Sequence, residues 1–323
     1  MKIGVFLPSF LFADDPDPDG RRLRDFARAA EDLGFDSLWI TDHVVTARRF
    51  YAVSWLDSLM TLSHVASITS SVRLGTSILI LPLRQPAVLA KEVATLHHLS
   101  GGRYIFGIGV GWYAPEFEAC GTRRSERGER TDEVLEAVRS LLHGPDVTFD
   151  GRYYSLDGVT VEPHAAPPVW VGGGRQLAHD ASPEHGGMHP NVLRRIAHAD
   201  GWIARPTCPP DGIGADLEEI LEARPASLPP ITVAHENFTW ISSSGSVDQV
   251  RDEQQRRFAA VMSDERPWDY IDSVYLTGTV EEIQTKIAAR RDAGAEYLML
   301  HTLTADLSQL QAIAKYVLEP FGS

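Results

Sequence analysis

The chain has 323 residues, 43% of them hydrophobic and 23% charged, with a formal net charge of −14 at pH 7. That length and apolar share suit one large α/β unit with a substantial core, and the acidic balance argues against a general nucleic-acid or anionic-membrane surface. Cys120 and Cys208 have no CxxC spacing, no apolar run reaches membrane-spanning length, and MKIGVFLPSF is too short for a cleaved leader, so a reducing cytoplasm is expected.

Residues 2–8 (KIGVFLP) read as a buried strand, and the Pro- and Asp-rich residues 10–20 as a loop. Residues 21–33 place Leu23, Phe26, Ala27, Ala30 and Leu33 at helical spacing, and Gly34 closes that helix. Strand two (36–41, DSLWIT) runs straight into Asp42-His43, and a helix is expected over 53–70. Residues 72–112 then read as strand, helix, strand. The first strand, 72–81, ends at Pro82. The helix, 85–99, stops at Ser100-Gly101-Gly102. The second strand, from 103, ends in Gly107, Gly109 and Gly111. A helix over 127–142 turns Val134, Leu135, Val138 and Leu141 to one face.

Residues 147–161 hold two β-rich runs around Asp150-Gly151, a hairpin inserted outside the main repeat. VWVGGG (169–174) is strand five. Residues 175–190 form a long polar loop without periodicity. A short helix (192–199), strand six (200–204), a weak helix (217–223) and strand seven (231–241) follow. Helices over 247–261 and 280–293, strand eight (296–301) and a last helix (308–318) complete the chain.

Eight strands, each followed by a helix and with no linker between halves, predict a single (β/α)8 TIM barrel over 1–323 rather than an open doubly wound sheet. In such a barrel chemistry gathers at the carboxyl ends of the strands. Here these are Pro8-Ser9, Asp42-His43, residues 77–81, 107–112 and 172–174, Arg205, residues 236–240, and His301.

The Gly107, Gly109, Gly111 spacing is not the G-x-G-x-x-G dinucleotide fingerprint. It is open to two readings: close strand packing with a turn, or a backbone stripped bare for a flat or anionic ligand. Gly172-Gly173-Gly174 is the better anion nest, with a hinge as its alternative. His43, at a strand end, suits acid–base work near neutral pH, with Asp42 orienting it or capping the turn. Glu116 is open to a catalytic, ion-pair or capping role. His179, His185 and His189 lie with Asp180 and Glu184 at spacings matching no standard metal set, so no metal is expected. Trp39, Trp112, Tyr113, Trp170, Trp202, Phe238 and Trp240 fall near strand exits, where aromatics would make a wide apolar pocket for a planar ring.

Taken in order, KIGVFLP (2–8), LGFDSLWITDHV (33–44), residues 72–112, EFEACG (116–121), ERTDEVLEAVRSLL (129–142), FDGRYYSLDGV (149–159), VWVGGG (169–174) and ADGWI (199–203) resemble the luciferase-like superfamily of flavin- and deazaflavin-dependent enzymes. The resemblance implies a non-proline cis peptide at Ser77-Ile78, forming a bulge that backs the cofactor ring. It implies His43 near the ring's reactive edge. It also implies cofactor contacts from Asp42, Ser77, Ile78, Ile80, Gly107, Gly109, Val110 and Gly111, and from Gly172, Gly173 and Gly174 toward the tail phosphate. Ser9, Trp112, Glu116 and Trp240 are expected to line the substrate pocket. GTSILILP (75–82) is more similar to the coenzyme F420 branch than to the light-emitting luciferases. Trp112 stands where F420-dependent glucose-6-phosphate dehydrogenases carry Glu, which speaks against a sugar phosphate. The expectation is an F420-dependent oxidoreductase moving a hydride between the deazaflavin and an apolar organic substrate. The alternative is a monooxygenase using reduced FMN from a separate reductase. A flavin or F420 reductase partner and a homodimer are implied by resemblance alone.

Overall fold

The chain begins with β1 (Lys2–Phe6), β2 (Phe10–Leu11), α1 (Arg21–Asp32), β3 (Ser37–Ile40), β4 (Ser54–Trp55) and α2 (Ser58–Ala66). Next come β5 (Arg73–Thr76), β6 (Leu79–Ile80), α3 (Pro86–Leu99), β7 (Tyr104–Gly109), α4 (Ala114–Ala119) and α5 (Arg127–His143). The hairpin β8 (Val147–Asp150) and β9 (Ser155–Val159) precedes β10 (Val169–Gly173), α6 (Pro190–Ala197), β11 (Gly201–Ala204), α7 (Pro210–Ala223) and β12 (Thr232–Phe238). Last are α8 (Val247–Val261), α9 (Trp268–Val274), α10 (Val280–Asp292), β13 (Tyr297–His301) and α11 (Leu307–Ile313). These are the elements of a computed structural model that describes residues 1–11, 20–175, 187–262 and 266–322.

All ladder pairs of the main sheet are parallel, in the order β1, β3, β5, β7, β10, β11, β12, β13 and back to β1. The sheet is therefore the expected eight-strand barrel, and β6 prolongs β5 along β7 past Ser77-Ile78. The hairpin lies outside the ring as a separate antiparallel pair. Its connection is longer than a two-residue turn, because Glu133 of α5 accepts the backbone N–H groups of Arg152 and Tyr153 at 2.8 and 2.9 Å.

Two expectations are corrected, and two short helices are added. Residues 53–57 are not helical: β4 pairs antiparallel with β2, and α2 starts only after Asp57, whose carboxylate accepts the Met60 N–H. The weak helix expected at 217 starts at Pro210, a residue suited to a first helical turn. The short helices α4 and α9 follow Tyr113 and Pro267, in segments too brief for apolar periodicity to register.

The barrel axis is filled, not hollow. Trp39, Trp170 and Tyr297 meet there, with centroid separations of 5.3 to 6.1 Å. Ser37 ties this plug, accepting from Trp39 Nε1 at 2.6 Å and from the Tyr297 hydroxyl at 2.8 Å. Gly4, Gly75 and Gly201 leave room for the indoles. Trp39 and Trp170 are thus core rather than mouth aromatics. Trp202 also turns away from the axis, into the layer between sheet and helices, and donates to Gly173 O at 3.0 Å. Above the plug, at the carboxyl ends, a cavity opens between Glu236, Phe238 and His301.

Candidate active site

The bulge between β5 and β6 is built by register. The Ser77-Ile78 peptide is cis. A Cβ on Gly107 would overlap the carbonyl oxygen of Thr76; one on Gly109 would lie 2.7 Å from Ile78 Cδ1; one on Gly111 would lie 2.6 Å from Ile80 Cγ2. Alternate glycines of one strand thus face alternate residues of its neighbour, and a Cβ on Gly172 would meet Ile78 Cγ2 at 2.6 Å from the other side. Of the two readings of the β7 glycines, close packing describes their side-chain space. The chain's own bulge fills it, and Ile78 alone of residues 74–80 is half-exposed at the mouth.

Asp42 locks the bulge from beneath. It is 4% exposed. Its carboxylate accepts from Ser58 Oγ (2.9 Å), Arg84 Nη2 (2.8 Å) and Ile80 N (3.0 Å). Three protein donors on a carboxylate with about four acceptor sites, in a residue this buried, make Asp42 a holder of the cradle.

His43 is fixed by Glu116. Nδ1 lies 3.0 Å from Glu116 Oε1, which also accepts Val44 N at 2.8 Å. Glu116 is fully buried and its Oε2 has no hydrogen-bond partner among the described residues. Glu116, expected in the substrate pocket, is therefore the residue that orients His43. Trp55 (4.8 Å between centroids), Tyr51 and Trp112 surround the imidazole.

A second histidine–carboxylate pair stands at the mouth. His301 Nε2 lies 3.0 Å from Glu236 Oε1, and Ser77 Oγ donates to Glu236 Oε2 at 2.5 Å. The His301 ring is stacked between Phe6 (3.4 Å between centroids) and Phe238 (3.9 Å). Burial pushes its pKa down from the usual imidazole value, against the opposing pull of Glu236, and so favours the neutral ring. Both residues border a cavity walled by Tyr51, Trp55, Phe238 and Leu303. They sit at strand ends that the barrel rule marks, yet 65 residues separate them. Nothing local in the sequence joins them.

Four expected residues lie elsewhere. Trp240 packs with α8 beneath the Arg257 guanidinium, 4.3 Å away, and does not border the cavity. Ser9 is 1% exposed and its carbonyl receives Leu56 N, so it braces the β4 loop. Gly172 and Gly173 pair with Ile203 and Ala204 inside the sheet, and Asp216 already accepts Arg175 N at 2.9 Å. The triple glycine is therefore not a free nest of three N–H groups. Trp112 does stand at the rim, 40% exposed and edge-on to Phe50.

Cations gather instead at the start of α5 and on α6. Arg124 donates to Trp112 O (2.9 Å), Arg127 to Arg124 O (2.9 Å), and Arg195 to Gly128 O (2.9 Å). Arg127 has no carboxylate partner among the described residues. Burial lowers its pKa, and Arg124 and Arg195 lower it further. The histidine loop is described only at its ends. His179, Asp180, Glu184 and His185 lie outside the described residues, and His189 caps α6, its Nδ1 accepting Asn191 N.

Among known proteins, an F420-dependent glucose-6-phosphate dehydrogenase of Kineococcus radiotolerans is 43% identical over 161 residues, 47% of each chain. A 5,10-methylenetetrahydromethanopterin reductase of Methanolobus tindarius is 33% identical over 152 residues, 47% of this chain and 44% of that one. The chain spans about half the length of these curated relatives. Among solved structures, the monooxygenase RslO1 from Streptomyces bottropensis superposes with a TM-score of 0.80 at 20% identity, covering 99% of this chain and 100% of that one. An F420-dependent secondary alcohol dehydrogenase, in complex with an F420-acetone adduct, does so with 0.78 at 19%, covering 100% and 99%. At those identities the likeness speaks for the fold alone. The luciferase-like monooxygenase family model matches residues 1–297. On that match, and on the closed barrel beneath it, the chain belongs to the luciferase-like monooxygenase family.

Proposed function

We propose that this chain is an F420-dependent oxidoreductase acting on a small organic substrate. The observation that carries the reading is the half-exposed Ile78 shelf at the barrel mouth, set over the glycines of β7 and β10. The names of two curated relatives, both F420-dependent glucose-6-phosphate dehydrogenases, favour the deazaflavin over FMN.

The residues present fit such a cofactor. Ile78 and the Ser77-Ile78 peptide offer an apolar shelf for a flat ring, held by Asp42 through Ile80 N. Arg127, with Arg124 beside it, offers positive charge to an anionic tail, while Arg195 is held by Asp132. When bound, a 5-deazaflavin supplies hydride transfer at C5, chemistry the protein orients rather than performs. His43 Nε2 is the nitrogen left for proton exchange, because Nδ1 is committed to Glu116. Tyr51, Trp55 and Trp112 limit water around that imidazole. The glycines of β7 contribute by admitting the bulge, and backbone contact to the cofactor falls to Val110 and Gly111, which are only partly buried.

A paired titration with F420 and FMN, followed by each ligand's own fluorescence, tests this reading. Saturable F420 binding at micromolar concentration without FMN binding is the expected result. Tight FMN binding without F420 binding would favour instead an FMN-dependent monooxygenase fed by a reductase.

A further inference from the structure

We propose that His301 is a second acid–base group, meeting the substrate while His43 serves the cofactor's edge, and that the substrate is an uncharged molecule bearing a hydroxyl or carbonyl on an apolar or aromatic frame. The hydride acceptor rests on the function proposed above; the pocket's own preference does not.

The cavity bordered by His301 and Glu236 has no lysine or arginine among its lining residues. Apart from Thr41 its remaining walls are aromatic or aliphatic, Tyr51, Trp55, Phe238 and Leu303 among them. A phosphate or carboxylate entering it would lose its hydration and face Glu236 without a compensating cation. An ammonium fares little better. Glu236 is already engaged on both oxygens by Ser77 and His301. Aromatic walls with one polar corner favour a neutral ligand carrying one hydrogen-bonding group.

His301 is arranged to serve that group. Glu236 is an acceptor for both Ser77 Oγ and the imidazole, so the ring proton sits on Nε2 and Nδ1 keeps its lone pair. Nδ1 has no protein partner among the described residues. Phe6 and Phe238 cover both faces of the ring, leaving its edge as the only route to a ligand. His43, by contrast, does not border this cavity; Trp55 stands against it. In the oxidative direction the O–H bond of an alcohol breaks and its proton passes to Nδ1. The C–H pair leaves as hydride to the deazaflavin oxidant, and the C=O bond forms. In the reductive direction Nδ1 returns the proton to the oxygen. Glu236 and Ser77 are positioning residues, linking this imidazole to the bulge.

Ligand-observed NMR of the cofactor-free full chain with acetophenone, benzoate and glucose 6-phosphate provides the test, repeated on His301→Asn. Saturable acetophenone binding, weakened at least fivefold by the substitution, with neither anion binding, is the expected result. In the F420-loaded enzyme His301→Asn should lower kcat about 100-fold with F420 affinity unchanged. Tighter binding of either anion than of acetophenone overturns the proposal, as does His301→Asn with unaltered binding and turnover. Acetophenone binding that depends on His301 in a protein that ignores F420 would uphold the pocket and remove the cofactor reading. Should His301→Asn not fold, Glu236→Gln keeps the volume of the partner without its charge. It should lower kcat at least tenfold with KM held within about twofold, a split that a merely structural role would not produce; unchanged kcat overturns the assignment.

Discussion

Two carboxylates near the mouth do different work, and substitution separates them. Asp42 ties Arg84, Ser58 and Ile80 N together in a site closed to solvent. Asp42→Asn leaves the Arg84 guanidinium with only its 3.9 Å contact to Asp57, at a cost of up to about 3 kcal/mol. Chemical denaturation should show that loss as a lower midpoint, alongside weaker cofactor binding. Glu116 instead aims His43. Glu116→Gln can keep the hydrogen bond to Val44 N while losing the charge beside the imidazole. It is expected to lower turnover about tenfold or more with the fold intact, as His43→Gln should. Equal F420 affinity in wild type and His43→Gln, with turnover lost, would place His43 in chemistry rather than binding. His43 was legible in the sequence because it directly follows a strand. The roles of Asp42 and Glu116 were not, since they depend on which way each buried side chain turns.

At the scale of the element, β7 and the bulge are one device. The sequence shows the glycine spacing, and the structure supplies the partner: Gly107 faces Thr76, Gly109 faces Ile78 and Gly111 faces Ile80. The obstacles differ in kind. A Cβ at 107 meets backbone, which cannot yield, whereas at 109 it meets the end of the Ile78 side chain. Gly107→Ala should therefore abolish soluble expression, while Gly109→Ala should fold with a displaced shelf. Adding Ile78→Ala to Gly109→Ala should recover part of the lost stability; a simple sum of the two single effects would argue against the direct contact. The strand reading over 72–81 anticipated no break in hydrogen-bonded pairing. Only the family resemblance pointed to Ser77-Ile78. Likewise β4 was hidden inside an expected helix, because two residues of pairing leave no periodic trace.

For the whole molecule, the alternation of strands and helices made the barrel readable, since each apolar run had to be buried on both faces. What fills the axis was not readable. Tryptophans at strand positions look alike whether they point inward, as Trp39 does, or outward, as Trp202 does. The buried titratable groups set the acid limit of the fold. His235 is fully buried, and burial first, then Arg290, holds its pKa well below the usual 6.5. The unfolded chain binds a proton there that the folded chain refuses, so stability should fall as pH drops below about 6.5. Glu31 works at lower pH. Burial opposes its ionisation, but bonds from Ser71, Val72 and Ser70 outweigh that and bring its pKa from 4.5 to about 2. Its contribution is present above 4.5 and is lost as pH falls toward about 2. Thermal midpoints measured from pH 8 to 3 should decline in those two windows, and Glu31→Gln should flatten the lower one.

The central claim is that the bulge cradled by Gly109 and Gly172 is the seat of a deazaflavin. Fluorescence titration of F420 into wild type and Gly109→Ala tests it most directly. Micromolar affinity in wild type, weakened at least tenfold by a single added methyl group in a variant that still folds, is the expected result. Equal F420 affinity in the two proteins, or no F420 binding by wild type, would contradict it.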